Sequence, residues 1–349
     1  MEQTRLHGTM SDGRGVQQFT LRNSSGLTAK VTEMGACLMS LEVPDRHGQL
    51  ADVTLGYENF ADWCSNPAYL GATVGRFGNR IRDGRFTLDS KIYQLAANNR
   101  PGGIPCHLHG GVRGFDKVLW HGEAAGQSVT FRRRSTDGEE GYPGNLDVQI
   151  TYTLNDDHEL IWEARATTDA TTIVNLVHHT YWNLSGDARR DILDHVLRLE
   201  ADHFLPTDSG LIPTGEITSV NDTPMDFTTS VRIGERISAD YLPLHQAGGY
   251  DHCWVLRGAE GVRLAADVFE PTSGRRMQIF TDQPAIQFYA GNFLDGSIIG
   301  KNGINYGHRS GFCLETENFP DAPNHNAFPN SVLRPGEIYQ HRMIHRFSC

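Results

Sequence analysis

The dominant period along this chain is two, the signature of half-buried β-strands. Leu146, Val148, Ile150, Tyr152 and Leu154 alternate with Asp147, Gln149, Thr151 and Thr153. Asn155-Asp156-Asp157-His158 then supplies turn chemistry, and Leu160-Ile161-Trp162 begins a return strand. Val262, Leu264, Ala266 and Val268 repeat the pattern, Pro271-Thr272-Ser273-Gly274 turns the chain, and Met277 to Phe280 return. Arg85 to Leu88 and Lys91 to Leu95 read as a hairpin around Asp89-Ser90. Near the start, Leu27, Ala29 and Val31 alternate with Thr28, Lys30 and Thr32. Helical spacing is scarce. The one local helix signal is Asn66-Pro67-Ala68-Tyr69-Leu70, with Asn66 as cap and Pro67 at the first helical position. The 37 glycines and 15 prolines suit many turns, and no linker or fixed-period repeat divides the chain. The pattern predicts an all-β fold, one antiparallel β-sandwich domain spanning residues 1–349.

Composition narrows the function. With 349 residues the chain can bury a large core. A formal net charge of -11 argues against nucleic acid as a partner, since phosphate binding wants a basic stripe. The only compact basic run, Arg132-Arg133-Arg134, reads as a solvated strand edge. No 18-residue apolar stretch is present, so no membrane span is expected. The opening Met1 to Gly15 is polar and lacks the apolar centre of a signal peptide. Six scattered cysteines without a CxxC do not read as a disulfide framework, which points to the cytoplasm.

Sixteen histidines raise a metal reading. His107-Leu108-His109 on a strand would place both rings on one face, and His178 or His179 with Glu315 could complete a cupin-like set. HxH is a weak signal, HExxH is absent and no cysteine pair has zinc spacing, so no metal is expected. GxGxxG opening a helix, GxxxxGK[ST] and GxSxG are also absent, which leaves dinucleotide, NTP and serine-hydrolase readings without support. What remains is a set of polar residues in apolar strands. Alternation sets Glu315 opposite Phe312 and Leu314, and Gln287 with Tyr289 opposite Ile286 and Phe288. A carboxylate in so apolar a run must be satisfied or useful, because burying a lone charge is costly. A buried ion pair or a strand end facing water is the competing reading for Glu315. Taken singly, His178 and His179 also read as satisfied core residues. Asn79-Arg80 lies in the glycine-flanked Gly75 to Arg80 segment, which suits a loop approaching a ligand; a structural Arg paired to a carboxylate is the alternative. Together, planar hydrogen-bonding groups beside Trp and Tyr suit a polyhydroxylated ligand.

From about residue 15 to the end, motifs follow in a set order. They are Gly71-Ala72-Thr73-Val74-Gly75-Arg76 into Asn79-Arg80-Ile81, Leu108-His109-Gly110-Gly111, Gly114-Phe115-Asp116-Lys117, and Gly138 to Gly144. His179-Thr180-Tyr181-Trp182-Asn183-Leu184, Tyr250-Asp251-His252, Gln287 to Asn292, Leu314 to Ala322, and Leu333-Arg334-Pro335-Gly336-Glu337 come after. In these the chain resembles the aldose 1-epimerases, also called galactose mutarotases. The resemblance implies a single-domain β-supersandwich of large, mostly antiparallel sheets. It implies interconversion of the α and β anomers of a free aldose such as glucose or galactose, by acid–base ring opening and reclosure, without metal or cofactor. It places the general acid on His179, as an imidazolium, and the general base on Glu315. Substrate-binding positions fall on Asn79, Arg80, His109, Asp251 and Gln287. The expected partner is a small-molecule free aldose, with the chain a monomer or homodimer.

Three positions depart from the family pattern. His178 stands where Asn usually precedes the acid, which bears on the pKa of His179. Arg100 to His107 is longer than the usual link and is expected beside the sugar site. Ala290 stands where Thr is common. Two other readings compete. A sugar-phosphate epimerase of the same fold would need several cationic residues around the phosphate. A non-catalytic sugar-binding module would normally have lost the acid or the base, and both are present.

Overall fold

A computed structural model describes residues 3–258 and 261–349. Strands dominate it, as the period of two predicts, and every pairing between named strands is antiparallel. The largest sheet has nine strands. Leu146–Leu154 and Glu159–Thr168 are inner strands of it, joined by the expected turn, with Leu146 opposite Thr168 and Leu154 opposite Leu160. Tyr339–Ser348 follows on one side, then Arg276–Thr281 and Arg263–Phe269. A register shift between Leu264 and Ala266 breaks the strict alternation read there, because a bulge turns successive side chains to the same face. The hairpin of Arg85–Leu88 and Lys91–Gln94 forms as predicted.

A six-stranded sheet carries the polar residues singled out above. Its order runs Tyr181–Trp182, Phe312–Glu317, Ala285–Tyr289, Asp251–Leu256, Ala201–Leu205 and Thr218–Ser219. One face is apolar: Phe312, Leu314, Ile286, Phe288 and Trp254 join the main core with Trp162, Ile150 and Met343 of the nine-stranded sheet. A five-stranded sheet, Thr4–Thr9 to Leu50–Asp52, adds Leu21, Val31 and Leu41 to that core. Of the polar opening stretch, residues 1–2 lie outside the described residues, and Thr4–Thr9 is an edge strand.

Two local expectations are corrected. The short helix is Phe60–Ser65, and Asn66 ends it rather than starting one. The Asn66 side chain accepts the Leu70 N–H at 2.8 Å and donates to the Leu70 carbonyl at 3.1 Å, so its capping chemistry closes a loop. The Arg132–134 run lies on Ser128–Ser135, an inner strand flanked by His121–Ala125 and Leu146–Leu154, and is not an edge. Arg132 and Arg134 reach outward to Glu123 and Asp147, whereas Arg133 turns in, its guanidinium 4.6 Å from the Phe115 ring. Among the described residues no helix is long and apolar enough to cross a membrane. The six cysteines are free thiols.

Candidate active site

The second face of the six-stranded sheet forms the floor of a cavity of about 300 Å³. Register explains which side chains meet there. Gln287 pairs with Glu315, Tyr289 with Cys313 and with Asp251, so Asp251, Gln287, Tyr289 and Glu315 all project to one side. All are buried, because loops cover this face while the core covers the other. Asn79, Arg80, His109, His179, Tyr181 and Tyr69 complete the lining, so every sequence-predicted site residue faces this one cavity.

The two proposed reacting groups come from neighbouring elements. His179 closes the strand Val177–His179, which pairs with Ala72–Val74, and Glu315 is central in Phe312–Glu317. Their facing atoms, His179 Nε2 and Glu315 Oε1, are 3.6 Å apart. Burial dominates both ionisations. It lowers His179 to about 4, against weaker support for its charge from its own backbone and from Asp251. It raises Glu315 well above the ordinary glutamate range, with Glu317 and Asp251 adding to the rise and Arg80 opposing it. Both shifts favour neutral imidazole with carboxylic acid over imidazolium with carboxylate, because burial penalises either charge.

The binding positions interlock. Asn79 and His109 clasp each other: the Asn79 N–H donates to His109 Nδ1 at 3.1 Å, and the His109 N–H donates to the Asn79 carbonyl at 3.1 Å. Both residues hold a positive φ, 59° and 51°, which the clasp over-determines. Because Nδ1 accepts, the proton of neutral His109 sits on Nε2. Gln287 Nε2 donates to Asp251 Oδ1 at 2.7 Å, and Arg80 Nη1 lies 3.8 Å from Asp251 Oδ2. The carboxylate pairing weighed for Arg80 is thus present, yet the guanidinium still lines the cavity.

Residues outside the sequence reading supply the walls. Tyr69 packs against His109 and His179, ring centroids 4.6 and 5.7 Å apart, with the Lys117 ammonium 4.6 Å from the centre of its ring. Pro67, Ala68, Phe293 and Ile298 add apolar surface. The Asn-Pro signal at 66–67 drew Tyr69 into a helix that does not form, which hid it. Of the departures, His178 points away from the cavity: its ring stacks on Trp162 at 5.7 Å, and Nε2 meets Thr180 Oγ1 at 2.9 Å. Adjacent strand residues face opposite ways, so His178 belongs to the core. Residues 100–107 contribute nothing to the cavity lining; Gly102 instead abuts the Ser209 backbone. Ala290 is buried in the core.

The cupin-like donor set does not assemble. His107 Nδ1 bonds the Ala96 carbonyl at 2.8 Å and its ring meets Tyr142 edge-on, away from His109's partners. Among the described residues, donor atoms of His179, Cys313 and Glu315 do come within 4.8 Å of one another. Burial holds the Cys313 thiol well above its ordinary pKa. Arg80 is the only Lys or Arg lining the cavity among the described residues, too few for a phosphate.

The profile of the aldose 1-epimerase family matches residues 17–346. The chain is 45% identical to galactose mutarotase from Bos taurus over 344 residues, 98% of this chain and 97% of that protein. It is 35% identical to aldose 1-epimerase from Escherichia coli K12 over 340 residues, 96% of each. Among solved structures, an aldose epimerase homologue from C. elegans superposes with a TM-score of 0.86 at 32% identity, covering 95% of this chain and 98% of that one. Galactose 1-epimerase from Lactobacillus acidophilus gives 0.85 at 28%, covering 99% and 98%.

Proposed function

The chain belongs to the aldose 1-epimerase family, and on that premise we propose that His179 and Glu315 are the acid and base with which it interconverts sugar anomers. The protein is a carbohydrate isomerase acting on a small-molecule aldose. The observation carrying the residue assignment is the 3.6 Å approach of His179 Nε2 to Glu315 Oε1 on the floor of the one cavity that gathers all the polar strand residues.

The reaction needs two proton movements. Glu315 takes the C1 hydroxyl proton as the C1–ring-oxygen bond breaks, and His179 delivers a proton to the ring oxygen. The aldehyde then rotates about C1–C2 and recloses on its other face, with both transfers reversed. The ring-opening step starts from imidazolium and carboxylate and ends with neutral imidazole and carboxylic acid. Burial favours the second arrangement. The two differ only by one proton passing between the partners, so the charged form is reached without exchange with solvent. A charged pair held in a site that disfavours both charges is a strong acid and a strong base together. His109 Nε2–H, Arg80 and Asn79 are read as donors to sugar hydroxyls, and the Gln287-bridged Asp251 as an acceptor. The Tyr69, Tyr181 and Phe293 rings offer faces for the sugar's C–H surface.

We read residues 1–349 as one catalytic domain, supported by a site that draws on residues from Tyr69 to Glu315. Galactose and glucose are the proposed substrates, a monomer or homodimer the proposed state, and the six free thiols support the cytoplasm. Polarimetry on freshly dissolved α-galactose or α-glucose tests the assignment. His179→Asn and Glu315→Gln are each expected to lose about 10²- to 10⁴-fold in kcat. Near-normal turnover in either folded variant would rule out its role.

A further inference from the structure

Glu317 is a buried carboxyl group that the reaction above leaves unused. It follows Glu315 on the same face of Phe312–Glu317, but it does not line the cavity. Its Oε1 accepts Asn79 Nδ2 at 3.0 Å and its Oε2 accepts Asn175 Nδ2 at 3.3 Å. Neither amide is free to turn. Asn79 Oδ1 accepts the Arg80 N–H at 2.9 Å, and Asn175 Oδ1 accepts the Asn318 N–H at 2.9 Å. Both oxygens of Glu317 thus receive fixed N–H donors, a cradle shaped for a carboxylate. The ionisable groups around it are Asp251 and Cys253, two strands away in the same sheet, Arg80 of Arg80–Arg82, Tyr339 on the nine-stranded sheet, and Glu315 on its own strand. Three carboxyl groups therefore share one guanidinium.

We propose that Glu317 is a positioning residue for the reaction, fixing the Asn79 side chain for the sugar and keeping the proton on the Glu315–His179 pair as the solution turns alkaline. Its oxygen holds Asn79, whose backbone in turn holds His109, so one carboxylate sets two cavity groups. Burial pushes Glu317 up to about 8 against its two amide donors. As pH rises through that point it takes on charge, and Glu315 must then ionise beside a like charge. Without Glu317, Glu315 would lose its proton earlier and the pair would stop working at lower pH.

The inference rests on the reading of Glu315 as the base, and the test separates the two. The kcat/KM pH profile is measured for the full chain and for Glu317→Gln, Glu317→Asp and Glu315→Gln, with thermal melts to confirm folding. Glu317→Gln is expected to bring the alkaline limb down by on the order of one pH unit, with the acidic limb in place. Glu317→Asp keeps the charge but withdraws from Asn79, so its limb stays and its KM rises several-fold. An alkaline limb unmoved in folded Glu317→Gln, with Glu315→Gln inactive, overturns the role of Glu317 alone. Activity retained by Glu315→Gln would instead remove the acid–base reading. Should Glu317→Gln fail to fold, Glu317→Asp decides: an unchanged KM overturns the proposal, and a raised KM with the limb in place supports it.

Discussion

On the proposed roles, His179 and Glu315, 3.6 Å apart, act as one unit, and the proton count they share matters more than either pKa alone. The proposed reaction uses one proton, on either partner. A second proton is added only when pH falls to the region of about 4, where buried His179 titrates. The proton is lost only above the raised midpoint of Glu315. The expected profile of kcat/KM is therefore a broad plateau through neutral pH, with its acidic limb far below that of a solvated imidazole near 6.5. Polarimetry between pH 4 and 8 checks this, and activity halving near pH 6.5 would contradict it. His178 lies on the far side of the strand from the cavity, its ring stacked on Trp162.

One element matters beyond the strands that bear the site: the segment from Gly75 to Arg80. It is pinned by Arg76, whose buried guanidinium donates to the carbonyls of Pro143 (2.8 Å), Gly144 (2.9 Å), Ser135 (3.2 Å) and Thr136 (3.1 Å), and to Ser135 Oγ (2.7 Å). Replacing Arg76 by Met strands several buried acceptors at once and is expected to cost about 3 kcal/mol or more. KM should rise with it, since Asn79 and Arg80 lie just downstream; urea midpoints and initial rates measure both. The sequence motif Gly75 to Arg80 is read as a ligand loop, and the structure divides it into an anchor, Arg76, and cavity-lining Asn79 and Arg80. Local signals could not make that division, because the acceptors of Arg76 lie about 60 residues or more away. The same reason separates what was legible from what was not. Alternation correctly set Glu315 opposite Phe312 and Leu314, and Gln287 opposite Ile286 and Phe288, because side-chain direction in a strand is local. Register is not local, so the Glu317–Asn79 bond, 238 residues apart in sequence, was out of reach. The position of Arg132–134 inside a sheet was equally hidden, since an exposed polar run reads alike on inner and edge strands. Asn66 misled because one capping side chain serves a helix start and a loop closure equally well.

At the scale of the whole molecule, the core between the two largest sheets is not wholly apolar. His341 on Tyr339–Ser348 reaches across it, with Nε2 2.7 Å from Thr316 Oγ1 of the six-stranded sheet and Nδ1 2.9 Å from the Leu176 carbonyl. His345, two turns of the pleat along, packs against Trp182 at 5.0 Å. Burial lowers both to about 4, against weaker opposing influences, so the native state keeps them neutral. The unfolded chain binds protons at these sites from about pH 6.5 downward. With the native pKa depressed, their contribution is fully present above that point and is lost as pH falls toward 4. The loss approaches a few kcal/mol per histidine at the lower limit, by linkage alone. Glu317 works in the opposite direction over an overlapping window. Its native pKa is raised to about 8, so its contribution is present below the unfolded glutamate value and fades as pH rises through 8. Between pH 7 and 5 the histidine and Glu317 contributions therefore oppose each other, and single substitutions separate them. His345→Phe keeps an aromatic ring against Trp182 and removes one titrating group. Compared with the unsubstituted chain, its urea midpoint is expected to gain at pH 5 relative to pH 7. Urea unfolding of both chains at the two pH values measures it. A difference between the chains that is the same at pH 7 and pH 5 would mean that His345 is not held neutral, and the same burial argument would then fail for His179 in the cavity.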